Sequence, residues 1–248
     1  MRFLYTNEFD DTDYTITENS ENASYPVENA RDPQLTRKYW TTGDSAEWVK
    51  LDGGASEAIT ANCAFIAGHN LTNGGTYAIE GNNTDSWGTP TVDEAITHAA
   101  GVMWKAFTSD DLRYWRFNLV DAANPDGVLK VGRLGLGTYF DLSVYAQSFF
   151  SRNYVDTSKM KRGLTGQVFA NEGITYLEYD FTFDFLTNAD RLNLEAMWTA
   201  NKKAKPIVFI PNPSDSTLLP FYGYISKFSL THKVAWTWQA RITLTEGL

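Results

Sequence analysis

The side chains in this sequence with chemistry to offer are three histidines, one cysteine, an acidic run near the N-terminus and a heavy load of aromatic rings. His69, His98 and His232 have neither a second histidine nor a cysteine at metal-ligand spacing, which argues against a zinc centre. His69 sits in Gly68-His69-Asn70-Leu71 at the end of an apolar run, where a loop-capping role outweighs ligand contact. Cys63, inside Cys63-Ala64-Phe65-Ile66-Ala67, reads as a small buried hydrophobe. As the lone cysteine it forms no intrachain disulfide. Clustered acids such as Asp10, Asp11 and Asp13 can bind calcium or cleave glycosides. This cluster lacks the alternating oxygen ligands and fixed glycine of a calcium loop, so a solvated segment is the better reading. Asp110-Asp111 reads as a turn. Neither a Gly-x-Ser-x-Gly elbow nor a phosphate-cradling glycine loop occurs. Gly132, Gly135 and Gly137 fall in a strand-like stretch with no helix after it. The expectation is a protein that is not an enzyme and carries no cofactor and no metal.

Aromatic rings are the remaining lead. Tyr39, Trp40 and Trp87, with Trp104, lie in or beside expected loops, where a flat ring can stack on a sugar face. Arg37 and Lys38 precede Trp40, completing a polar and aromatic platform. The competing reading, core packing, is the commoner fate of aromatics in a β-sandwich.

The elements that would position these residues are mostly strands. Aromatics make up 15% and hydrophobic residues 43%, a composition that suits sheets with filled cores. The first 24 residues read as a short strand followed by an acidic, loosely held segment. Short apolar runs separated by turn clusters follow. Glu47–Leu51 alternates, Ala61–Gly68 is nearly continuous and reads as a strand buried on both faces, and Thr76–Glu80 lies between two turns. Further strands are expected at Met103–Thr108, Tyr114–Val120 and Val128–Leu136. In the second half, Leu177–Phe185 alternates strictly. The last strand is expected to carry Val234, Trp236, Trp238, Ala240, Ile242 and Leu244 on its oily side. One helix is expected at about 188–202, opened by a Thr187–Asp190 capping box, with Ala189, Leu192 and Ala196 on one face and Trp198 and Leu194 beside it. Lys202, Lys203 and Lys205 end it favourably, and Pro206 forbids continuation.

Charge divides along the chain. Residues 1–145 hold 10 Lys+Arg against 21 Asp+Glu, a net of −11, whereas residues 146–248 hold 11 against 9, a net of +2. Two domains, 1–145 and 146–248, fit this asymmetry. It would also let the acidic half of one subunit meet a more basic neighbour, although simple solubility is the blander explanation. The overall net of −9 argues against nucleic acid and against an anionic membrane surface. Neither a signal-peptide core nor an apolar run of membrane-spanning length is visible, so a soluble protein made in a reducing cytoplasm is expected.

Several runs carry a resemblance: Tyr25-Pro26-Val27-Glu28-Asn29-Ala30-Arg31-Asp32-Pro33, Tyr39-Trp40-Thr41-Thr42, Ala46-Glu47-Trp48-Val49-Lys50-Leu51-Asp52-Gly53-Gly54, Phe65-Ile66-Ala67-Gly68-His69-Asn70-Leu71 and Tyr114-Trp115-Arg116-Phe117 through Gly137. Residues 25–137 resemble a discoidin-type, galactose-binding-like jelly-roll sandwich, in the variant associated with tailed-bacteriophage tail and baseplate proteins. The second half, with Thr187–Trp198 and Pro206–Pro211, is similar to the helix-bearing sandwich of phage tail-tube and distal-tail proteins, with the domain order reversed.

The resemblance implies a mainly β fold: an N-terminal jelly-roll (galactose-binding-like) β-sandwich plus a C-terminal tail-tube-like β-sandwich with one α-helix. It implies a structural, homo-oligomeric component of a long-tailed phage tail tip or baseplate, expected as a hexameric ring in the virion tail, made in the host bacterial cytoplasm. Partners would be copies of itself, other tail proteins and a host-surface glycan. Glu178, Asp180, Asp184, Lys233 and Arg241 are the candidate ring-interface residues. The alternative is a carbohydrate-binding module or lectin-like adhesin using Tyr39, Trp40 and Trp87. An enzyme accessory subunit rests on fold analogy alone.

Overall fold

A computed structural model describes the chain apart from residues 56, 144–150, 163, 216, 217, 219, 235, 236 and 248. In chain order the first strands are β1 (Arg2–Leu4), β2 (Thr15–Glu18), β3 (Tyr39–Trp40), β4 (Glu47–Asp52), β5 (Ile59–Ala67) and β6 (Thr76–Asn82). Then come β7 (Val92–Ala95), β8 (Met103–Leu112), β9 (Tyr114–Val120), β10 (Lys130–Val131), β11 (Arg133–Gly137) and β12 (Tyr139–Asp141). After these follow β13 (Ser151–Asp156), β14 (Lys159–Arg162), β15 (Val168–Asn171), β16 (Thr175–Leu186), α1 (Asn188–Asn201), β17 (Ile207–Ile210), β18 (Phe221–Val234) and β19 (Thr237–Glu246). The fold is mainly β, as expected.

The chain forms two compact units. One comprises Met1–Asp141 with Pro206–Tyr222, the other Leu142–Lys205 with Gly223–Glu246. The expected boundary at 145/146 lies outside the described residues, and a single cut there does not separate the units, because Pro206–Tyr222 belongs with the first.

The first unit is an antiparallel sandwich. A sheet in the order β2-β4-β9-β6-β7 packs on one in the order β11-β5-β8. Alternation in β4 turns Val49 and Leu51 inward and leaves Trp48, Lys50 and Asp52 on the outer face. Trp115, Phe117 and Leu119 do the same from β9, meeting Ile59, Ala64, Ile66, Leu134 and Leu136. The continuous apolar run of β5 has the cause inferred from its sequence. Its second face, Cys63, Phe65 and Ala67, is covered by Leu4, Val208, Ile210 and Tyr222, so from Cys63 onward the strand is buried on both sides, whereas Thr60 is exposed and Asn62 half-buried nearer its start. Gly135 lies opposite Phe65 in β11, and a Cβ there would run into the phenyl ring.

Three expectations for this half need correction. Asp110-Asp111, read as a turn, lies inside β8, paired with Ala61 and Thr60 of β5. The stretch expected as one strand, Val128–Leu136, is two, β10 and β11, and Gly132 at the break packs tightly on the Leu35 backbone, where a side chain would collide. The N-terminal acidic segment is anchored rather than loose: Phe9 is fully buried, and β2 pairs with β4.

The second unit is an antiparallel sheet, β13-β16-β19-β18, with α1 packed on it, plus a separate hairpin, β14-β15. Tyr179, Phe181 and Phe183 alternate inward along β16 as read from sequence. The register slips between Phe183 and Leu186, however, and Phe185 takes φ +60°. This bulge turns Phe185 out and Leu186 in, ending the alternation one residue early. Val234 belongs to β18 and pairs with Thr237 of β19, so the expected single last strand is in fact a hairpin; Trp236 lies outside the described residues. Ala240, Ile242 and Leu244 are buried as expected.

The capping box of α1 is present in both directions: Asp190 N donates to Thr187 Oγ1 (3.2 Å), and Thr187 N donates to Asp190 Oδ2 (3.0 Å). The helix face differs from the expected one. Asp190, Leu194, Met197 and Asn201 are buried, while Ala189, Leu192 and Ala196 are exposed. Asp190 faces inward because it also accepts the backbone N–H of Ser143 (2.9 Å), and that fixes which stripe meets the sheet.

Candidate functional site: an aromatic and cationic sheet face

The outer face of β4, β9 and β6 gathers a set of side chains that are far apart in sequence. Register pairs Lys50 with Arg116, Asp52 with Tyr114 and Trp48 with Asn118 across β4 and β9. On the other side of β9, Glu80 pairs with Arg116 and Asn82 with Tyr114. Lys50 and Arg116, adjacent like charges, are tolerated because each has its own carboxylate. Arg116 donates from Nε to Glu80 Oε2 at 2.6 Å, with side chains 15% and 8% exposed. Lys50 Nζ meets Asp85 Oδ2 at 2.6 Å, and Arg113 Nε meets Asp52 Oδ1 at 2.7 Å.

Trp87 lies over this face. Its segment, between β6 and β7, folds back through Asn82 Nδ2 donating to Ser86 O (2.7 Å). The Arg116 guanidinium stacks on the Trp87 ring at 4.3 Å, and Trp87 Nε1 donates to Asp85 Oδ1 at 2.9 Å. The indole is thus held along its polar edge and on one face, half-buried, with Glu80 fixing the cation behind it. Tyr114 adds a second ring beneath Arg113 (4.5 Å), and Lys50 lies 5.7 Å from both the Tyr114 and the Trp48 rings.

Electrostatics favour the ionised carboxylates of this face. The Lys50 ammonium holds Asp85 below the usual carboxylate range, and Arg113 does the same for Asp52. A glycosidase pair needs one carboxyl kept protonated, and these two are held ionised. What the face offers is an aromatic plane flanked by charged hydrogen-bonding groups.

The other sequence candidates fall elsewhere. Tyr39 is fully buried and donates its hydroxyl to Ser20 O, so it has no face to offer a glycan; burial raises its pKa further. Trp40 is stacked on Tyr25 (3.9 Å, 10° between planes), with the Lys130 ammonium 4.6 Å from its ring. Its π-surface is already taken by neighbours in the chain. Trp104 is half-buried, with the Arg2 guanidinium 5.6 Å from its ring. The structure therefore places Tyr39 in the core and leaves Trp40 and Trp87 half-buried, Trp40 against Tyr25 and Lys130 and Trp87 against Arg116. Lys50, Asp85, Glu80 and Arg116 were missed, because their pairing is set by strand register and not by spacing.

His69 caps a loop, Nδ1 accepting the Leu71 N–H (3.2 Å), while His98 Nε2 lies 3.0 Å from Leu71 O. Burial lowers the His69 pKa to about 4, keeping it neutral. Cys63 is buried, its thiol pushed up to about 12 by burial. In the second unit, Asp180 accepts from Thr243 Oγ1 (2.6 Å) and Asp184 from Gln239 Nε2 (2.6 Å), so both are used within their own sheet. Glu178 is half-buried on β16, and Lys233 and Arg241 are exposed. Among the described residues no group of three or more His, Cys, Asp or Glu is placed to hold a metal, and no helix is long and apolar enough to cross a membrane.

No family model and no curated protein matches the sequence. Among solved structures the chain is similar to the lectin domain of lectinolysin complexed with Lewis B antigen, at 13% identity over 54% of this chain and 97% of that one, TM-score 0.43. It is similar to a chitosan-binding module derived from a chitosanase/glucanase of Paenibacillus sp., at 20% identity over 51% and 96%, TM-score 0.40. A third is the family 32 carbohydrate-binding module of C. perfringens NanJ in complex with galactose, at 15% identity over 52% and 95%, TM-score 0.41. At these identities and scores the likenesses bear on no ligand and no site residue of this chain.

Proposed function

We propose that this chain is a non-catalytic glycan-binding protein whose first unit stacks a sugar ring on Trp87. The observation that carries this reading is the fixation of the Trp87 indole, with Arg116 behind it and Asp85 at its edge. A ring held in this way loses little freedom when a ligand stacks on it, and the flanking Lys50 and Asn82 side chains supply hydrogen-bonding groups. Screening the full chain against a glycan array, then repeating it with Trp87→Ala, tests the reading. Specific binding that disappears with Trp87 and persists in Trp40→Ala supports it; a silent array counts against it.

A second reading, a ring-forming component of a phage tail tip, is favoured by the exposed apolar side chains of the β14-β15 hairpin, such as Met160 and Phe169, which suit an assembly contact. Co-purification of the chain with tail particles, and its loss on removing that contact, tests it.

A further inference from the structure

The β7–β8 connection, the start of β8 and the segment after β17, all in the first unit, border an open cavity of about 320 Å³. Proteins hold small molecules in cavities of about 300–1,000 Å³, so this one suits a compact ligand. Thr97, His98 and Trp104 line one side, and Asn212, Ser214 and Asp215 the other. The cavity is separate from the Trp87 face, since none of Lys50, Asp85, Trp87 and Arg116 borders it. Its second wall also lies outside residues 25–137, the stretch that carries the sandwich resemblance.

Both walls are anchored. Val102 and Trp104 pack with Val208, Ile210 and Tyr222, so one apolar cluster holds the start of β8 and both ends of the segment between β17 and β18. Tyr222 also donates its hydroxyl to Pro33 O (2.8 Å). Within the segment, Asn212 O accepts the Asp215 N–H (3.2 Å) and Asn212 Oδ1 accepts the Ser214 N–H (3.1 Å). This is a β-turn with Pro213 at the position whose φ proline already has. Walls set in this way lose little freedom when a ligand enters.

The polar groups of the lining suit hydroxyls. His98 Nε2 lies 3.0 Å from Leu71 O; a carbonyl only accepts, so Nε2 carries the hydrogen and the neutral ring keeps Nδ1 as an acceptor. The ring is held against His69 at 5.9 Å and Tyr77 at 6.5 Å. Asn212 spends its Oδ1 in the turn, which leaves its Nδ2 as a donor. Thr97 and Ser214 add hydroxyls, and Trp104 adds an aromatic plane. Among the described residues, Asp215 is the one carboxylate of the lining and no Lys or Arg borders it, which disfavours an anionic ligand.

We propose that this cavity binds one uncharged sugar ring, stacked on Trp104 and hydrogen-bonded by His98 and Asn212. The site stands independently of whether Trp87 binds sugar.

Nuclear magnetic resonance of the full chain, titrated with methyl glucoside, methyl galactoside, methyl mannoside and glucuronic acid, tests this through the Ser214 and Asp215 amide signals. The expected result is saturable movement with at least one neutral glycoside, at a Kd of about 1 mM, and none with glucuronic acid. Trp104→Ala is expected to weaken binding about tenfold, with circular dichroism verifying its fold. Ser214 is exposed, so Ser214→Trp fills the cavity without disturbing a core and is expected to abolish binding, read from the Asp215 amide. Trp87→Ala is expected to leave it unchanged. No saturable movement with any neutral glycoside, equal binding of glucuronic acid, or binding that survives Ser214→Trp overturns the proposal. Binding lost in Trp87→Ala and kept in Ser214→Trp places the sugar on Trp87 alone, which overturns this site and leaves the first one standing.

Discussion

Replacing Arg116 by alanine tests whether the Trp87 platform depends on the buried pair beneath it. The substitution removes the guanidinium from Glu80, whose side chain is 8% exposed, and leaves one donor on that carboxylate, Asn118 Nδ2 at 3.3 Å. Breaking a buried pair on one side costs roughly 3–5 kcal/mol. The remaining Asn118 bond and the slight exposure of both groups put this case at the low end, about 3 kcal/mol. For a unit of this size that lowers the unfolding midpoint by about 6–12 °C. Urea unfolding followed by fluorescence, with the buried Trp115 as a reporter in the same core, gives the free energy. The double variant Arg116→Ala/Glu80→Ala is expected to cost about 2 kcal/mol less than the sum of the singles, because the charge left unpaired in each single variant is gone. Arg116→Ala within about 0.5 kcal/mol of wild type, or additive single effects, would refute the view that Glu80 and Arg116 form one unit under the indole.

Three further outcomes follow from the same structure. Asp190→Ala removes the capping-box acceptor and is expected to cost about 1–2 kcal/mol, read as a loss of thermal stability. Burial alone would raise the Asp190 pKa, but the hydrogen bonds from Ser143 and Thr187 outweigh it and hold the carboxyl below its ordinary value. A depressed folded pKa contributes stability present above the unfolded value of about 3.9 and lost as pH falls through the folded one, so the wild-type advantage over Asp190→Ala shrinks in acid unfolding curves below about pH 4. Gly135→Ala drives a methyl group into the Phe65 ring and is expected to cost about 2 kcal/mol or more in denaturant unfolding. Tyr39→Phe loses the bond to Ser20 O, costing about 1 kcal/mol, and leaves glycan binding unchanged because that ring is buried.

Much of the architecture is legible from local pattern. The β9 strand, the β5 run buried on both sides and the Thr187–Asp190 cap all follow from residues within one element. What escapes is whatever depends on non-local pairing. The bulge at Phe185 breaks an otherwise perfect alternation, and only the register with β19 reveals it. Pro206–Tyr222 returns to the first unit because Val208 and Ile210 are needed to cover the second face of β5, a requirement invisible in either segment alone. The inward face of α1 is set by Ser143, which bonds Asp190 from 47 residues away. At the site, Trp87 is recognisable as a loop aromatic. Its difference from Trp40 is not, since it rests on Arg116 and Asp85 on one side and on Tyr25 and Lys130 on the other.

The central claim is that Trp87 binds a sugar ring. The most direct measurement is calorimetric titration of the best array ligand into the wild-type chain, Trp87→Ala and Trp40→Ala. The account predicts that Trp87→Ala weakens binding by about 2 kcal/mol, roughly 30-fold in Kd, with Trp40→Ala close to wild type. Equal affinity of Trp87→Ala and wild type, or a loss confined to Trp40→Ala, would contradict it.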